Sequence, residues 1–82
     1  MYRINEEIVI EDVEEGKCLI NEREEKIILL KKVETKVFEY ILNYPIDKVK
    51  ELVLQEFEGE NISDDIDVFV KELCDKNILI QM

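Results

Sequence analysis

Histidine and tryptophan are absent from these 82 residues, while glycine and cysteine occur twice each and proline once. Without histidine the chain lacks the usual general base at neutral pH and the commonest metal ligand. Cys18 and Cys74 stand far apart with no CxxC pair, so they make no standard zinc site. Gly16 and Gly59 are isolated, which excludes a glycine-rich phosphate loop. So few glycines and prolines leave little room for linkers or disordered tracts, and no internal repeat is visible. No apolar run approaches the ~20 residues that cross a bilayer. The polar start, MYRINEE, carries no signal-peptide pattern, so a cytoplasmic protein with reduced thiols is expected.

Acidic residues are what the chain has in abundance. There are 21 of them against 11 basic ones, for a formal net charge of -10. The cations are scattered, with Lys31-Lys32 the sole adjacent pair, so neither a phosphate backbone nor an anionic membrane surface is an expected partner. A neutral or basic peptide suits such a surface. Nothing in the sequence sets two carboxylates in a shielded pocket, as paired-carboxylate catalysis requires. Asp64-Asp65-Ile66-Asp67 lacks the glycine and the terminal glutamate of a calcium loop. The expectation is a protein that is not an enzyme and holds no cofactor.

The length corresponds to a single domain spanning residues 1–82. The first third reads as strands: Ile8 to Val13, a turn at Glu14-Glu15-Gly16-Lys17, then Cys18-Leu19-Ile20. Gly16 supplies the positive φ that such a turn requires. A polar turn, Asn21 to Glu25, leads into a third strand, Lys26-Ile27-Ile28-Leu29-Leu30. These three make an antiparallel meander with the first and third strands at its edges.

The rest reads as helices. Val33, Val37, Phe38, Ile41 and Leu42 recur at helical spacing between Lys32 and Asn43, and Pro45 ends that helix. Asp47 is the expected cap of a second helix with the stripe Val49, Leu52, Val53 and Phe57, and Gly59 marks its end. Ser63 is the expected cap of a third, with Asp64 and Asp65 at the positive end of its dipole. Its stripe is Ile62, Ile66, Phe69, Val70 and Leu73. Asn77 stands where a left-handed terminating residue belongs, and Ile78-Leu79-Ile80 closes the chain as an apolar tail. The order β-β-β-α-α-α predicts an α+β domain, a three-stranded antiparallel sheet followed by three helices, with a winged helix-turn-helix-like shape.

The third strand departs from the usual pattern. Ile27-Ile28-Leu29-Leu30 is apolar at every position, where a half-exposed antiparallel strand alternates. Continuous apolarity implies cover on both faces. An edge strand of this kind invites an added strand from another chain. Two readings stay open: a peptide groove, or a second face covered by a helix or by the Ile78–Ile80 tail. In the third helix, Val68 lies off the main stripe near Asp64, Lys71, Glu72 and Asp75, where it can line a groove.

Three stretches together resemble the PqqD-like family, also called the RiPP recognition element, where RiPP denotes a ribosomally synthesised and post-translationally modified peptide. They are the hairpin Val13 to Asn21, then Ile27-Ile28-Leu29-Leu30 followed by Val33, Val37 and Phe38, and last Phe69 to Leu79. The resemblance covers about residues 6 to 80. Lys31 stands where the family often has asparagine, and Asn77 where it usually has glycine. Asparagine tolerates the left-handed conformation, so the second departure costs little.

The resemblance implies a non-catalytic peptide chaperone. The leader segment of a precursor peptide would lie between the third strand and the third helix, pairing with the strand. Lys26, Ile27, Ile28, Leu29 and Leu30 would then supply main-chain hydrogen bonds, and Ile27 or Leu29 would take leader side chains. Val68, Lys71, Glu72 and Asp75 would form the opposite wall. The implied partners are the precursor peptide and a modifying enzyme such as a radical SAM protein, a cyclase or a leader peptidase. Two other readings compete: a winged-helix DNA-binding regulator, opposed by the charge, and a structural subunit that packs its apolar strand permanently against a partner.

Overall fold

The computed structural model describes the backbone of residues 1–57 and 62–82, and the side chains of all of these except residues 62–64. The elements run β1 (Tyr2–Ile4), β2 (Ile8–Val13), β3 (Gly16–Asn21), β4 (Lys26–Lys31), α1 (Lys32–Asn43), α2 (Ile46–Glu56), α3 (Ile62–Asp75) and β5 (Leu79–Gln81). The fold is α+β, with three helices after an antiparallel β2-β3-β4 sheet.

The meander is built as its residues dictate. β2 and β3 meet through a turn of two residues, Glu14 and Glu15, while Gly16 and Lys17 already belong to β3. Gly16 has φ +151°, and a Cβ placed on it would collide with the Leu30 carbonyl oxygen, so only glycine fits there. The β3–β4 turn is held by Asn21, which is fully buried. Its side-chain oxygen accepts from the Glu24 amide at 3.1 Å, and its Nδ2 donates to the Glu24 carboxylate at 2.9 Å.

The helices follow their apolar spacing. α1 begins at Lys32 after Lys31, whose amide donates to the Glu34 carboxylate at 3.2 Å, so the third helical residue satisfies the chain just before the helix. Pro45 separates α1 from α2. It also takes the cap position expected of Asp47: α2 starts at Ile46, and Asp47 sits in its first turn, where its charge still meets the helix dipole. Asn77 has φ +57° and ends α3 as expected, with the Ile78 amide donating back to the Leu73 carbonyl at 2.9 Å. The Gly59 end signal and the side chains of Ser63 and Asp64 lie outside the described residues.

The tail is where the structure corrects the sequence reading. Leu79–Gln81 is a strand, and it pairs antiparallel with Tyr2–Ile4 in a second, two-stranded sheet. Three residues are too few for alternation to register as a strand pattern. Leu79 is buried and Ile80 half-buried, so the tail belongs to the core edge and to β1.

One core unites these pieces. Leu19 and Leu30 from the sheet meet Val37, Phe38 and Ile41 of α1, Val49 and Val53 of α2, Ile66, Val70 and Leu73 of α3, and Ile78 and Leu79 beyond it. Ion pairs tie the helices at the surface. Lys36 of α1 bridges Glu56 of α2 at 2.7 Å, and Lys50 of α2 bridges Asp67 of α3 at 2.9 Å.

Candidate functional site: the β4 edge and the cavity beyond it

β4 is an edge strand, paired with β3 on one side and, among the described residues, with no strand on the other. Its side chains alternate in burial despite their uniform apolarity. Leu30 is fully buried and Ile28 half-buried, while Ile27 and Leu29 are 68% and 46% exposed. Continuous apolarity therefore does not mean two covered faces here: the helices cover the Ile28–Leu30 face, and the Ile27–Leu29 face is open.

The backbone alternates too. Leu30 aligns with Lys17 of β3, and its carbonyl lies against the neighbouring Gly16, so Leu30 bonds toward β3. In an antiparallel ladder a residue directs its amide and its carbonyl to the same side, and its neighbours direct theirs to the other. Ile27 and Leu29 accordingly turn their amides and carbonyls to the open edge. Among the described residues, neither makes a hydrogen bond there. Lys31, the next outward-facing position, has its amide occupied by Glu34. Two donors and two acceptors thus stand in a row over residues 27–29.

Where β4 runs into α1, a cavity of about 270 Å³ opens among the three helices. Val33 and Val37 of α1, Val53 and Phe57 at the end of α2, and Ile66 and Phe69 of α3 line it. Its lining is mostly apolar, with the carboxylates of Glu34 and Asp65 beside it. The sequence pattern puts Val33, Val37, Phe57, Ile66 and Phe69 on the apolar stripes of the three helices. Helical spacing cannot separate a residue that fills a core from one that lines a void in it.

The expected opposite wall on α3 is exposed throughout. Val68, Lys71, Glu72 and Asp75 all face solvent. Successive 100° steps divide them. Glu72 falls on the flank of Asp65 and Phe69, toward the cavity, while Val68 and Asp75 lie opposite the buried stripe of Ile66, Val70 and Leu73. Lys71 falls on the flank of Asp67, which is bridged to α2. Glu72 also pairs with Lys76 at 3.1 Å.

A polar clasp fixes β4 relative to the end of α3, and sequence reading missed it. The Glu24 carboxylate in the turn before β4 accepts from Asn77 Nδ2 at 3.0 Å as well as from Asn21. Asn5 donates from Nδ2 to the Asn77 carbonyl at 2.9 Å, and its amide donates to the Ile78 carbonyl at 2.9 Å. One turn, one helix end and the N-terminal segment are locked together by contacts between residues far apart in sequence.

A solved structure matches this fold over nearly its full length. A lasso peptide synthetase B1 complexed with the leader peptide aligns with a TM-score of 0.85, covering 98% of each chain at 19% identity. The chain has the fold of that protein. No family model matches the sequence, and no curated protein does. With so few identical residues, the agreement extends over elements and topology and leaves side chains to be judged on their own geometry. No helix among the described residues is long and apolar enough to cross a membrane.

Proposed function

We propose that this chain is a non-catalytic module that binds the leader segment of a precursor peptide and delivers it to a modifying enzyme, as a RiPP recognition element of the PqqD-like kind. The observation that carries the reading is the row of free amides and carbonyls on Ile27 and Leu29, at the edge of a strand that leads into an apolar cavity. An extended peptide that pairs with β4 satisfies these groups and adds a fourth strand to the sheet. Its alternate side chains point to the helix side, where the cavity has room for an apolar anchor. The solved structure with this fold is itself complexed with a leader peptide, which supports a leader peptide as the ligand here.

Charge shapes the selectivity. Glu34 and Asp65 beside the cavity favour a leader that carries lysine or arginine next to its apolar anchor. The exposed surface of α3 argues against duplex DNA as the ligand. It presents Asp65, Asp67, Glu72 and Asp75 against one lysine, Lys71.

In this reading the chain contributes binding and presentation to a modifying enzyme such as a radical SAM protein, a cyclase or a leader peptidase. The test is a titration of the labelled leader of the precursor encoded beside this chain. Dissociation constants in the micromolar range or tighter, with exchange protection gained at residues 27–29, are expected. A leader that leaves both the label and residues 27–29 unaffected at millimolar concentration rules the reading out.

A further inference from the structure

One charged group on the helix side of β4 has no partner. Alternation sets Lys26 on the same face as Ile28 and Leu30, and its register partner Asn21 is fully buried. Like Leu30, Lys26 gives its amide and carbonyl to the ladder with β3. Its side chain is what reaches toward the leader path between β4 and α3. That side chain is half-buried, and among the described residues its ammonium enters no ion pair. Glu24 in the adjoining turn gives both carboxylate oxygens to Asn21 and Asn77.

The α3 wall is graded in the same direction. Asp65, Phe69, Glu72 and Lys76 follow one another at helical spacing down the flank that meets the cavity. Lys76 lies just past the end of α3, and its amide still donates to the Glu72 carbonyl at 3.1 Å, so it continues that flank. The contact between Glu24 and Asn77 sets this end of α3 beside the start of β4. Strand and helix therefore run in opposite directions along the groove. Glu34 and Asp65 stand at the cavity end, and Lys26 and Lys76 at the other. Lys76 is already shared with Glu72 at 3.1 Å, which leaves the Lys26 ammonium for a ligand.

We propose that Lys26 is a specificity-determining residue for the leader, pairing with an acidic side chain that the leader carries C-terminal to its apolar anchor. The proposal rests on the leader-binding reading and deepens it. A strand added antiparallel to β4 runs from the cavity end toward Lys26. The leader residue level with Leu30 lies nearest the cavity and is the anchor. Side chains alternate, so the residues level with Ile28 and Lys26 stand two and four places further along, about 14 Å from anchor to acid. The motif is an apolar residue followed four positions later by aspartate or glutamate. A leader of this composition laid down the other way would bring its acid to Glu34 and Asp65, so the same charges also fix its direction.

Lys26→Met keeps the aliphatic stem and removes the charge, and Lys26→Glu reverses it. Wild type and both variants, checked for folding by urea unfolding, are titrated with the labelled leader of the precursor encoded beside this chain. The same titration is run on leader peptides in which each acidic residue in turn becomes lysine and each apolar residue in turn becomes aspartate. The apolar position whose replacement costs most marks the anchor. Against wild type, lysine at the acid four places after the anchor is expected to cost about tenfold in affinity, and Lys26→Glu to cost about the same with the native leader. Combining the two changes should bring affinity back to within about threefold of wild type, a recovery that a merely structural Lys26 would not give. A critical acid that stands ahead of the anchor, or an odd number of places from it, overturns the assignment. So does a Lys26→Met protein that binds the native leader as wild type does, which is the behaviour of a lysine that only guards an edge strand against self-association. Either result leaves the leader reading standing, whereas a wild type that binds no leader overturns both.

Discussion

Replacing Leu29 by proline tests the direction in which β4 presents its backbone. The Leu29 amide faces the open edge, so its loss breaks no bond to β3. Proline is accepted on an edge strand where the lost N–H would have met solvent. Leu29 is already half exposed, so the lost side-chain burial costs only about 1 kcal/mol. Leader binding suffers more. One net hydrogen bond is worth about 0.5–1.5 kcal/mol, or roughly 2- to 13-fold in affinity. The pyrrolidine ring also stands where the carbonyl of the incoming strand must approach, so a total loss of at least about tenfold is expected. Ile28→Pro is the control. Its amide points into the ladder with β3 and its side chain into the core, so it should destabilise the fold by at least about 2 kcal/mol. Fluorescence anisotropy with the labelled leader and urea unfolding read the two effects. If Leu29→Pro binds as wild type, or Ile28→Pro is as stable as wild type, the assignment of the open edge to residues 27 and 29 is wrong.

Other variants probe the cavity, the core and the helix surface. Val33→Asp adds a third carboxylate beside the cavity at an exposed position; it should leave the melting temperature nearly unchanged and weaken an apolar anchor at least about tenfold in the same titration. Leu73→Ala removes a fully buried side chain and should cost about 2–5 kcal/mol in urea unfolding, with no effect on the binding mode of the fraction that stays folded. The Lys36 ammonium, and then the Tyr40 hydroxyl, bond to Glu56 and hold its carboxyl below the usual glutamate range. A carboxyl depressed on folding contributes stability above its unfolded pKa and loses it as pH falls through the folded one. Glu56→Gln should therefore flatten the acid limb of the stability profile, and an NMR titration should find Glu56 with a lower midpoint than free glutamate.

Much of this fold is legible in the residues themselves. The meander follows from Gly16 and from the turn residues at 14–15 and 21–25, and the helix boundaries from Pro45 and Asn77. Each of these acts locally, so a single sequence displays it. The β1–β5 pair was not legible, because Tyr2–Ile4 and Leu79–Gln81 gain strand character only from each other, across the whole chain. The same holds for the clasp at Glu24, whose partners Asn21 and Asn77 come from either side of the helices. For the site, the apolar run at 27–30 pointed to β4, but not to which side chains lie outward; that depends on the helices having one sheet face to cover. The cavity was hidden among core positions, since whether Phe57 and Phe69 close on each other is decided by how the helices cross.

The pairing of Tyr2–Ile4 with Leu79–Gln81 has a practical consequence for anyone handling the protein. The Met82 amide donates to the Met1 carbonyl at 3.0 Å, so residues 1 and 82 leave the body side by side. A short linker across that gap, with new ends cut at the Glu14–Glu15 turn, gives a permutant that keeps every strand and helix intact. Purification handles and dyes attached at residue 1 or residue 82 will crowd the same spot, and a reporter for distance changes needs at least one label elsewhere.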